Sequence, residues 1–594
     1  MYGLKGVIAA SMSALLLSAA PIGASAQEAQ ETVSSETMAA TEASFSIAIS
    51  EIETENSSLG TGALVDIFSG QIEPYASEIQ SLNADSIVVP EIKLTITSAE
   101  NGGAQTTLTV TYTDIRVENV VDGVAGSVSI GNSVLENSDP DAGTINIQSV
   151  SAKSVNFGAM LAFYGLVDNT NSELYRIIYK DAVIEGGTLV APDVNCTIGR
   201  FDFSELRARE TSVSIVDLIS IATQLEAQGD TPDSALLAQM FGNLTEIAAA
   251  YEMMPARFDG LSCAGLDDDG QPIEITVGPV EIGAYADLIY PRISMNDWLI
   301  KAQGGEMTLG NVTLKPIDYS NFFETISEAT EELNDAWFEA HARELVPEIE
   351  GLSFSDFAMD IADESNSDRR IIASVGGFDL GLSDYLNGIP TIVSATIDDL
   401  HVQLPNDPTD RDIMRLIDAG IDAIDLDATL RANWDSDSEN ITIDRLALSA
   451  AKLGSIDLSL LIGNAGRDLF ATDPQTAMIA GMGVTAKSLG ISFTDEGIMQ
   501  FAVRQFAAER GMDVESVPIM MSGMAQGLVL GFLGSNPNGA DLATAIGTFL
   551  NGGKSINAKF TSVNPNGISV PEFAAMEDDP SQIADMITIE ASAE

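Results

Sequence analysis

The sequence has few of the residues that carry most enzyme chemistry. Its 594 residues include two histidines, His341 and His401, and two cysteines. Two distant histidines and one cysteine pair cannot supply the several closely spaced ligands that a zinc site generally needs. Glu344 follows His341 by three residues, which favours a surface ion pair over a metal ligand. We therefore expect no zinc site.

Motifs for nucleophilic catalysis and for phosphate binding are also missing. A Ser–His–Asp triad could use either histidine, but no GxSxG stretch accompanies one. The chain has no GxxxxGKS/T loop and no dinucleotide fingerprint after a strand. We expect no enzymatic activity and no cofactor, and an unrecognised hydrolase stays as an alternative.

Aromatic residues make up only 6% of the chain, with three tryptophans. The 88 acidic residues guarantee close carboxylate pairs by chance. A glycosidase would usually combine such a pair with aromatic platforms for the sugar. The scarcity of aromatics therefore argues against that class of enzyme.

Basic residues are also few. The 27 lysines and arginines leave a formal net charge of −61. Nucleic acid is excluded as a partner, because phosphate binding needs a basic surface. An acidic excess of this size is typical of a solvated surface in a saline environment. Hydrophobic residues still make up 45% of the chain, which predicts a folded protein.

The two cysteines, Cys196 and Cys263, are interpreted as a structural disulfide or as catalytic thiols. A catalytic thiol would need a nearby histidine, and none lies between them. The disulfide is favoured, and closing this loop would stabilise the fold by about 4 kcal/mol.

The first 26 residues have the pattern of a cleavable export signal. Lys5 is the only charge, residues 7–20 are apolar, and Ala24-Ser25-Ala26 precedes Gln27. A membrane anchor is less favoured, because the run is short and ends at Pro21 and Gly23. Residues 27–44 are predicted to be a flexible acidic lead-in, a segment between the signal peptide and the folded part. No later apolar stretch is judged long enough to span a bilayer. We therefore expect a soluble exported protein, periplasmic or extracellular.

Three stretches share one pattern, in which spaced aliphatic residues, a polar break and a helix face follow one another. They are residues 147–163, 203–221 and 305–326. This repetition predicts a β-dominated α+β fold of repeated strand-into-helix units, with curved antiparallel sheets and flanking amphipathic helices. The predicted sections are residues 45–200, β-rich; 201–350, mixed helix and strand; 351–465, an antiparallel meander; and 466–594, helical with strands. A bulge is expected at Thr113-Asp114, and one helix from Ser320 to about Leu345.

Two stretches are candidates for binding an apolar ligand. In the meander, apolar residues alternate with polar ones from Ile424 to Trp434, so one sheet face needs a covering layer. Its own curvature, nearby helices or an apolar ligand could supply that layer. Residues 518–533 are Met-rich, and a buried core helix is favoured over an adaptable pocket. The candidate ligand residues are Leu426, Leu430, Trp434, Met520, Met521, Met524, Leu528 and Phe532.

Two acidic loops are candidate calcium sites. One contains Asp267 and Asp269, the other Asp435 and Asp437. Neither completes a twelve-residue EF-hand loop, since Asn440 stands where the second needs Gly. A solvated acidic turn is the favoured interpretation of both.

The sequence combines a signal peptide, acidic strand repeats, phrases such as EGLSF at 350–354 and LALS at 446–449, and a late helix pair before closing strands. This combination resembles the periplasmic part of AsmA-like and YdgA-like envelope proteins of Gram-negative bacteria. It implies a curved sheet with an apolar inner face, envelope integrity and, for some members, lipid movement. Those proteins usually keep an uncleaved N-terminal helix, whereas this signal looks cleavable. No functional residue carries over.

Three hypotheses follow from these observations. The leading one is a non-catalytic exported envelope protein that binds or shields lipid or another apolar ligand on a curved sheet. The second is an acidic structural or surface-assembly protein, linked by calcium. The third is the unrecognised hydrolase.

Overall fold

The computed structural model describes residues 44–99, 105–139, 142–167, 173–228, 233–267, 270–329, 333–363, 366–406, 410–576 and 579–594. The predicted signal peptide and residues 27–43 of the lead-in lie outside these ranges. Strands hold 48% and helices 28% of the chain, and the strands form a large curved antiparallel sheet. The predicted β-dominated α+β fold is confirmed.

The chain divides into two compact units, one ending at Gln303 and the other running from Gly304 to Glu594. We call them the N-terminal unit and the C-terminal unit. The strand Ile293–Ala302 pairs with two earlier strands, whereas Gly305–Leu314 pairs with the later strand Gly351–Asp363. The boundary falls inside the predicted 201–350 section.

The N-terminal unit contains eighteen strands and five α-helices within the described residues. The strands are β1 Ser44–Ile49, β2 Glu53–Glu55, β3 Ala84–Ala99, β4 Gln105–Val121, β5 Val124–Asn137, β6 Thr144–Ile147, β7 Val150–Asn156, β8 Arg176–Ile184, β9 Gly187–Ala191, β10 Val194–Ile198, β11 Phe201–Ala208, β12 Tyr251–Met253, β13 Ala256–Phe258, β14 Leu261–Leu266, β15 Pro272–Val277, β16 Val280–Ile282, β17 Ile289–Tyr290 and β18 Ile293–Ala302. The helices are α1 Thr61–Phe68, α2 Ala76–Gln80, α3 Phe157–Phe163, α4 Ile215–Gln228 and α5 Ser234–Ala248.

The core of the N-terminal unit lies between the long antiparallel strands β3, β4 and β5 and the helices α1 and α3. Its most buried side chains include Val89, Ala125 and Val155. Strand β7 leads directly into α3, where the Asn156 side chain accepts a hydrogen bond from the Ala159 backbone N–H and caps the helix. One apolar face of this sheet is therefore covered by its own helices.

The predicted bulge at Thr113-Asp114 is wrong. Thr113 pairs with Glu91 and Ile115 with Val89, so no residue is inserted in the strand. Asp114 instead adopts a left-handed backbone with φ 53°. This conformation reverses the side-chain alternation, and Tyr112 and Ile115 consequently line the same cavity.

The C-terminal unit contains thirteen strands and nine α-helices within the described residues. The strands are β19 Gly305–Leu314, β20 Ile317–Asp318, β21 Glu348–Ile349, β22 Gly351–Asp363, β23 Asn366–Leu386, β24 Ile389–Gln403, β25 Ala423–Asp435, β26 Asn440–Ala450, β27 Gly454–Gly463, β28 Thr485–Asp495, β29 Ser555–Ser562, β30 Ile568–Ser569 and β31 Ile587–Ala593. The helices are α6 Ser320–Ser327, α7 Asp335–Ala340, α8 Arg411–Asp418, α9 Pro474–Gly483, α10 Ile498–Arg510, α11 Val517–Leu533, α12 Gly539–Leu550, α13 Val570–Ala575 and α14 Ile583–Met586.

All three predicted strand-into-helix stretches have that structure. Strand β7 precedes α3, β11 precedes α4, and β19 and β20 precede α6. The single helix predicted from Ser320 to Leu345 is wrong, because α6 ends at Ser327 and α7 begins at Asp335. Asn334 is extended and its side chain accepts from the Trp337 N–H, so it starts a new helix.

Candidate apolar ligand site

Ten strands of the C-terminal unit pair in antiparallel order as β19, β22 to β29 and β31. Residues paired across neighbouring strands point to the same face of a sheet. One row of such pairs is apolar through all ten strands: Leu314, Leu352, Leu380, Ala395, Leu430, Leu446, Leu458, Ile491, Ala558 and Ala591. A parallel row runs Leu382, Val393, Ala432, Ile443, Leu460, Leu489, Phe560 and Ile589. We call the surface formed by these rows the apolar face.

The opposite side of the same sheet is polar. The row beside the first apolar row contains Ser353, Asp379, Thr396, Thr429, Ala447, Asp457, Ser492, Asn557 and Ser592. Ion pairs lie on this side, with the Arg445 Nε atom 2.8 Å from Asp457 Oδ2. Water therefore solvates the polar side, and the apolar face is the side that needs a covering layer.

The middle of the apolar face has no complete covering layer within the described residues. From β22 to β27 no side chain of the two apolar rows is buried. Leu446 retains 44% of its exposure, and Leu352 retains 37%. The end strands β29 and β31, by contrast, pack against the helices through a cluster that includes Leu542, Ile568 and Ile589. The apolar face is therefore exposed in its middle and covered by helices at one end.

An apolar pocket of about 830 Å³ lies where the open face meets these helices. Its floor includes Leu460, Leu489 and Phe560 from the second apolar row. Phe532 and Leu533 of α11, Phe573 of α13, and Met576, Ile583 and Ile587 also line it. Lys487 is the single charged residue among its described lining residues, and its ammonium group donates to Asn440 Oδ1 at 2.8 Å.

The structure brings only part of the predicted ligand set to this surface. Leu430 belongs to the first apolar row, and Leu426 lies on the same face between Leu400 and Ala450. Trp434 makes contacts within the protein. Its Nε1 donates to the Ala465 carbonyl at 2.6 Å, and its ring packs against Phe470. Phe532 lines the pocket.

The other predicted ligand residues lie on α11 but do not line the pocket. Met521 packs with Val503, Ala507 and Val517, and Met520 is half-buried. Met524 and Leu528 remain 63% and 60% exposed. The favoured interpretation of this stretch as a buried core helix is therefore wrong.

The helix around α11 is also longer than its sequence suggested. Together with the preceding 3₁₀ turn it runs from Val514 to Leu533, and only 11% of its most apolar window is buried. By length and composition alone it is the one helix among the described residues that could cross a membrane. The expectation that no later stretch is long enough is wrong, because the 3₁₀ turn extends the helix at its N-terminus.

Several residues of the site were missed by the sequence patterns. The lining residues of β28, β29 and α13 lie far from the predicted set in the chain, and only strand pairing brings them together.

Helix α9 was not predicted at all, and it exposes Met478, Ile479 and Met482. The signal for α9 was Asp473 before Pro474, because the Asp473 side chain accepts from the Thr476 N–H and caps the helix.

Within the described residues, neither histidine is paired with a serine, threonine or cysteine side chain. The His341 Nδ1 atom lies 2.9 Å from the Trp337 carbonyl oxygen, and Nε2 lies 4.0 Å from Glu344. This histidine lines a polar pocket whose described lining residues include one hydroxyl side chain, that of Thr325, which donates to the Asn321 carbonyl. His401 Nδ1 lies 2.6 Å from Asp425 Oδ1 at the sheet surface.

The candidate calcium residues act as turn residues where the structure describes them. Asp267 Oδ1 accepts from the Gln271 N–H, and Asp435 Oδ1 accepts from the Ser438 N–H at 2.7 Å. Hydrogen bonding to the side chain and then to the backbone N–H of Ser438 holds the pKa of Asp435 below its ordinary value. Asp437 is exposed, and Asp269 lies outside the described residues. Within the described ranges no group of three or more His, Cys, Asp or Glu side chains could hold a metal ion.

The cysteines form a disulfide in the N-terminal unit. Cys196 of β10 and Cys263 of β14 are directly paired across the two strands, and their sulfur atoms are 2.10 Å apart. The bond therefore ties together two neighbouring strands.

Comparisons with known proteins assign no activity to this surface. A family model described only as an uncharacterized protein matches residues 447–594. This matched region contains every described residue that lines the 830 Å³ pocket. No curated protein and no solved structure matches the chain.

Proposed function

We propose that the C-terminal unit binds the acyl chains of lipid on its apolar face, with the pocket at the covered end as the place of deepest insertion. The single observation that carries this proposal is the continuity between the uncovered rows from β22 to β27 and the 830 Å³ pocket. Burying apolar surface stabilises a complex by about 25 cal/mol per Å², so a ligand that covers this face gains binding energy from the whole contact.

The chemistry of the face favours an acyl chain over other apolar occupants. Ten strands spaced about 4.8 Å apart give the first apolar row a length of roughly 43 Å, which suits a long flexible chain. A second copy of this protein is less favoured, because two chains of net charge −61 repel each other. The pocket offers no guanidinium or carboxylate among its described lining residues, which agrees with a neutral hydrocarbon ligand.

We further propose that the protein acts in the cell envelope after export, without catalysing a reaction. The signal-like N-terminus and the resemblance to AsmA-like and YdgA-like proteins support this location. Phospholipid is then the lipid class that the protein meets in greatest quantity. The two alternatives, a calcium-linked structural protein and a hydrolase, have no specific observation in their favour.

The test is native mass spectrometry of the full protein, purified from its own source without detergent, together with lipid extraction. We expect phospholipid bound in stoichiometric amount. Leu489→Glu, which places a carboxylate on the pocket floor, should abolish the adduct. Ile392→Glu is the matched control, because Ile392 is 39% exposed, close to the 36% of Leu489, and pairs with Ser383 and Asn433 on the polar side.

A lipid-free mass for the unaltered protein, combined with no uptake of phospholipid from vesicles, would refute the proposal. Equal loss of lipid in both variants would refute the assignment to the apolar face. Calcium-dependent assembly of a lipid-free protein would instead support the structural alternative.

A further inference from the structure

The exposed side of helix α11 has no polar side chain. With 3.6 residues per turn, the exposed residues of this helix fall within an arc of about 220° around its axis. They are Ile519, Gly523, Met524, Gly527, Leu528, Leu530, Gly531 and Phe532. The exposed side of a helix in water is normally polar or charged. This side of α11 therefore lacks the groups that water would solvate.

The two polar side chains of α11 face the neighbouring helix α12 instead. Ser522 is buried, and its hydroxyl donates to the Gly547 carbonyl of α12 at 3.4 Å. The side-chain amides of Gln526 and Asn551 donate to Ser522 Oγ at 3.2 and 2.9 Å. Helices that face hydrocarbon have this arrangement, with polar groups turned toward other helices and apolar groups turned outward.

Helix α12 has the ordinary arrangement for water. Asp541, Thr544 and Thr548 are exposed on it, whereas Leu542 and Phe549 are buried. The two helices pack against each other in the same unit, through a cluster in which Leu533 of α11 contacts the buried residues around Leu542. The reversed polarity is thus a feature of α11 and not of the helical layer as a whole.

The exposed side of α11 is continuous with the rim of the 830 Å³ pocket. Met524, Leu528 and Phe532 are spaced by four residues and so lie along one side of the helix. Phe532 is exposed and also lines the pocket, as does the exposed Phe573 of α13. This apolar row therefore ends at the pocket.

We propose that α11 is a membrane-docking helix, which lays its exposed side into the surface of a bilayer of zwitterionic lipid and so places the pocket at that surface. This inference rests on the proposed lipid binding for its role, whereas the docking itself can be tested separately. The helix lies on the bilayer and does not cross it, because Val529 and Leu533 stay packed in the cluster with Leu542.

The charges of the protein select the zwitterionic surface. Helices that lie on membranes usually carry Lys and Arg, which attract anionic lipid. Helix α11 has no charged residue, and the nearest charged residues along the chain, Glu515 before it and Asp541 after it, are acidic. A chain of net charge −61 is repelled by an anionic bilayer and by a second copy of itself. Docking therefore depends on apolar contact alone.

The test is flotation of the full protein with vesicles of pure phosphatidylcholine and with vesicles that contain an equal amount of phosphatidylglycerol. We expect the protein to float with the first and less with the second. Added salt should raise binding to the second, because it screens the repulsion.

Two variants with matched controls assign the docking to α11. Leu528→Glu should weaken binding to phosphatidylcholine vesicles by about tenfold or more, because it puts a charge into the apolar contact. Val121→Glu should bind normally, since Val121 is 63% exposed, close to the 60% of Leu528, and lies in the N-terminal unit. An environment-sensitive dye on Met524→Cys should shift to the blue with vesicles, and the same dye on Val121→Cys should not. The two native cysteines form a disulfide, so each variant has one free thiol, and this readout still decides should Leu528→Glu misfold.

Monomeric lipid separates the docking from the proposed lipid binding. Leu528→Glu should bind dihexanoylphosphatidylcholine below its micelle concentration as well as the unaltered protein does. Leu489→Glu should float with vesicles but lose this binding. Failure of the unaltered protein to float, with retained binding of the monomeric lipid, would overturn the docking alone. Flotation without binding of the monomeric lipid would refute the proposed function alone.

Three further results would overturn the docking proposal. One is stronger flotation with phosphatidylglycerol, and another is an equal effect of the substitutions or dyes at Leu528 or Met524 and at Val121. The third is a dimer that forms without vesicles and is lost in Leu528→Glu, since it would assign the exposed side of α11 to a second copy of the chain.

Discussion

Single residues with a left-handed backbone reset the side-chain pattern inside several strands. Asp114, Asp356 and Asp399 have φ between 52° and 55°. A glycine lies opposite each of them, and a Cβ atom added to Gly131, Gly310 or Gly376 would come within 2.9 to 3.0 Å of the aspartate Cβ. Asp and Asn tolerate this conformation better than β-branched residues. The period-two pattern could predict the strands, but not these reversals, because Asp in a strand also fits an exposed polar position.

Replacing Asp114 by a β-branched residue should destabilise the N-terminal unit. We expect Asp114→Val to lower its free energy of unfolding by about 1–3 kcal/mol, because valine strains the left-handed backbone. Asp114→Asn is the control, since it also removes the charge that pairs with Arg116 but tolerates the same φ. Urea unfolding followed by circular dichroism measures the difference. Equal stability of the Val and Asn variants would contradict the role assigned to the backbone conformation.

The buried Tyr179 should make the stability of the N-terminal unit fall at alkaline pH. It is 1% exposed, and burial raises its pKa above the ordinary value of 10.0. The unfolded chain therefore loses this proton at lower pH than the folded chain, so the stabilisation is complete below pH 10.0 and declines as the pH rises above it. The urea midpoint should fall as the pH rises above about 10, and less steeply in Tyr179→Phe.

At the scale of elements, strands were predictable and helix packing was not. The alternation in β25, β26 and β27 identified both the strands and their apolar face. The composition of α11 suggested a core helix, yet only Val517 and Ser522 are buried on it. An apolar helix and a core helix have the same composition, so the sequence alone could not distinguish packing against protein from an exposed apolar surface. The break between α6 and α7 depends on the cap by Asn334, a local signal that the apolar periodicity of this stretch does not contain.

Substitutions along α11 should separate its two sides. Leu528→Glu, at a position that is 60% exposed, is expected to change the free energy of unfolding by no more than about 0.5 kcal/mol. Val517→Ala should cost about 2 kcal/mol, because Val517 is fully buried against Val503 and Ala507. Chemical unfolding of the two variants measures both values. A large loss for Leu528→Glu would mean that this side of the helix is covered in the folded protein.

At the scale of the whole molecule, the two units differ in what covers their sheets. The N-terminal unit covers one apolar face with α1 and α3, and its core includes fully buried side chains such as Val89 and Val155. The apolar rows of the C-terminal unit have no buried member from β22 to β27. Composition and alternation predict that apolar faces exist, but they cannot predict which face receives helices, because that depends on contacts between residues distant in sequence.

Together with the proposed lipid binding, this difference predicts that lipid extraction affects one unit only. A ligand at 100 times its dissociation constant stabilises the state that binds it by about 2.7 kcal/mol. We therefore expect two calorimetric transitions, of which only the one assigned to the C-terminal unit falls after lipid extraction and recovers when phospholipid is restored. Leu446→Glu, on the apolar face, should make that transition insensitive to phospholipid, whereas Ile392→Glu should keep the response, since their exposures of 44% and 39% are similar. A response confined to the N-terminal transition, or an equal response in both variants, would contradict binding on the apolar face. The assignment of transitions can be checked independently, because reduction of the Cys196–Cys263 disulfide should shift only the transition of the N-terminal unit.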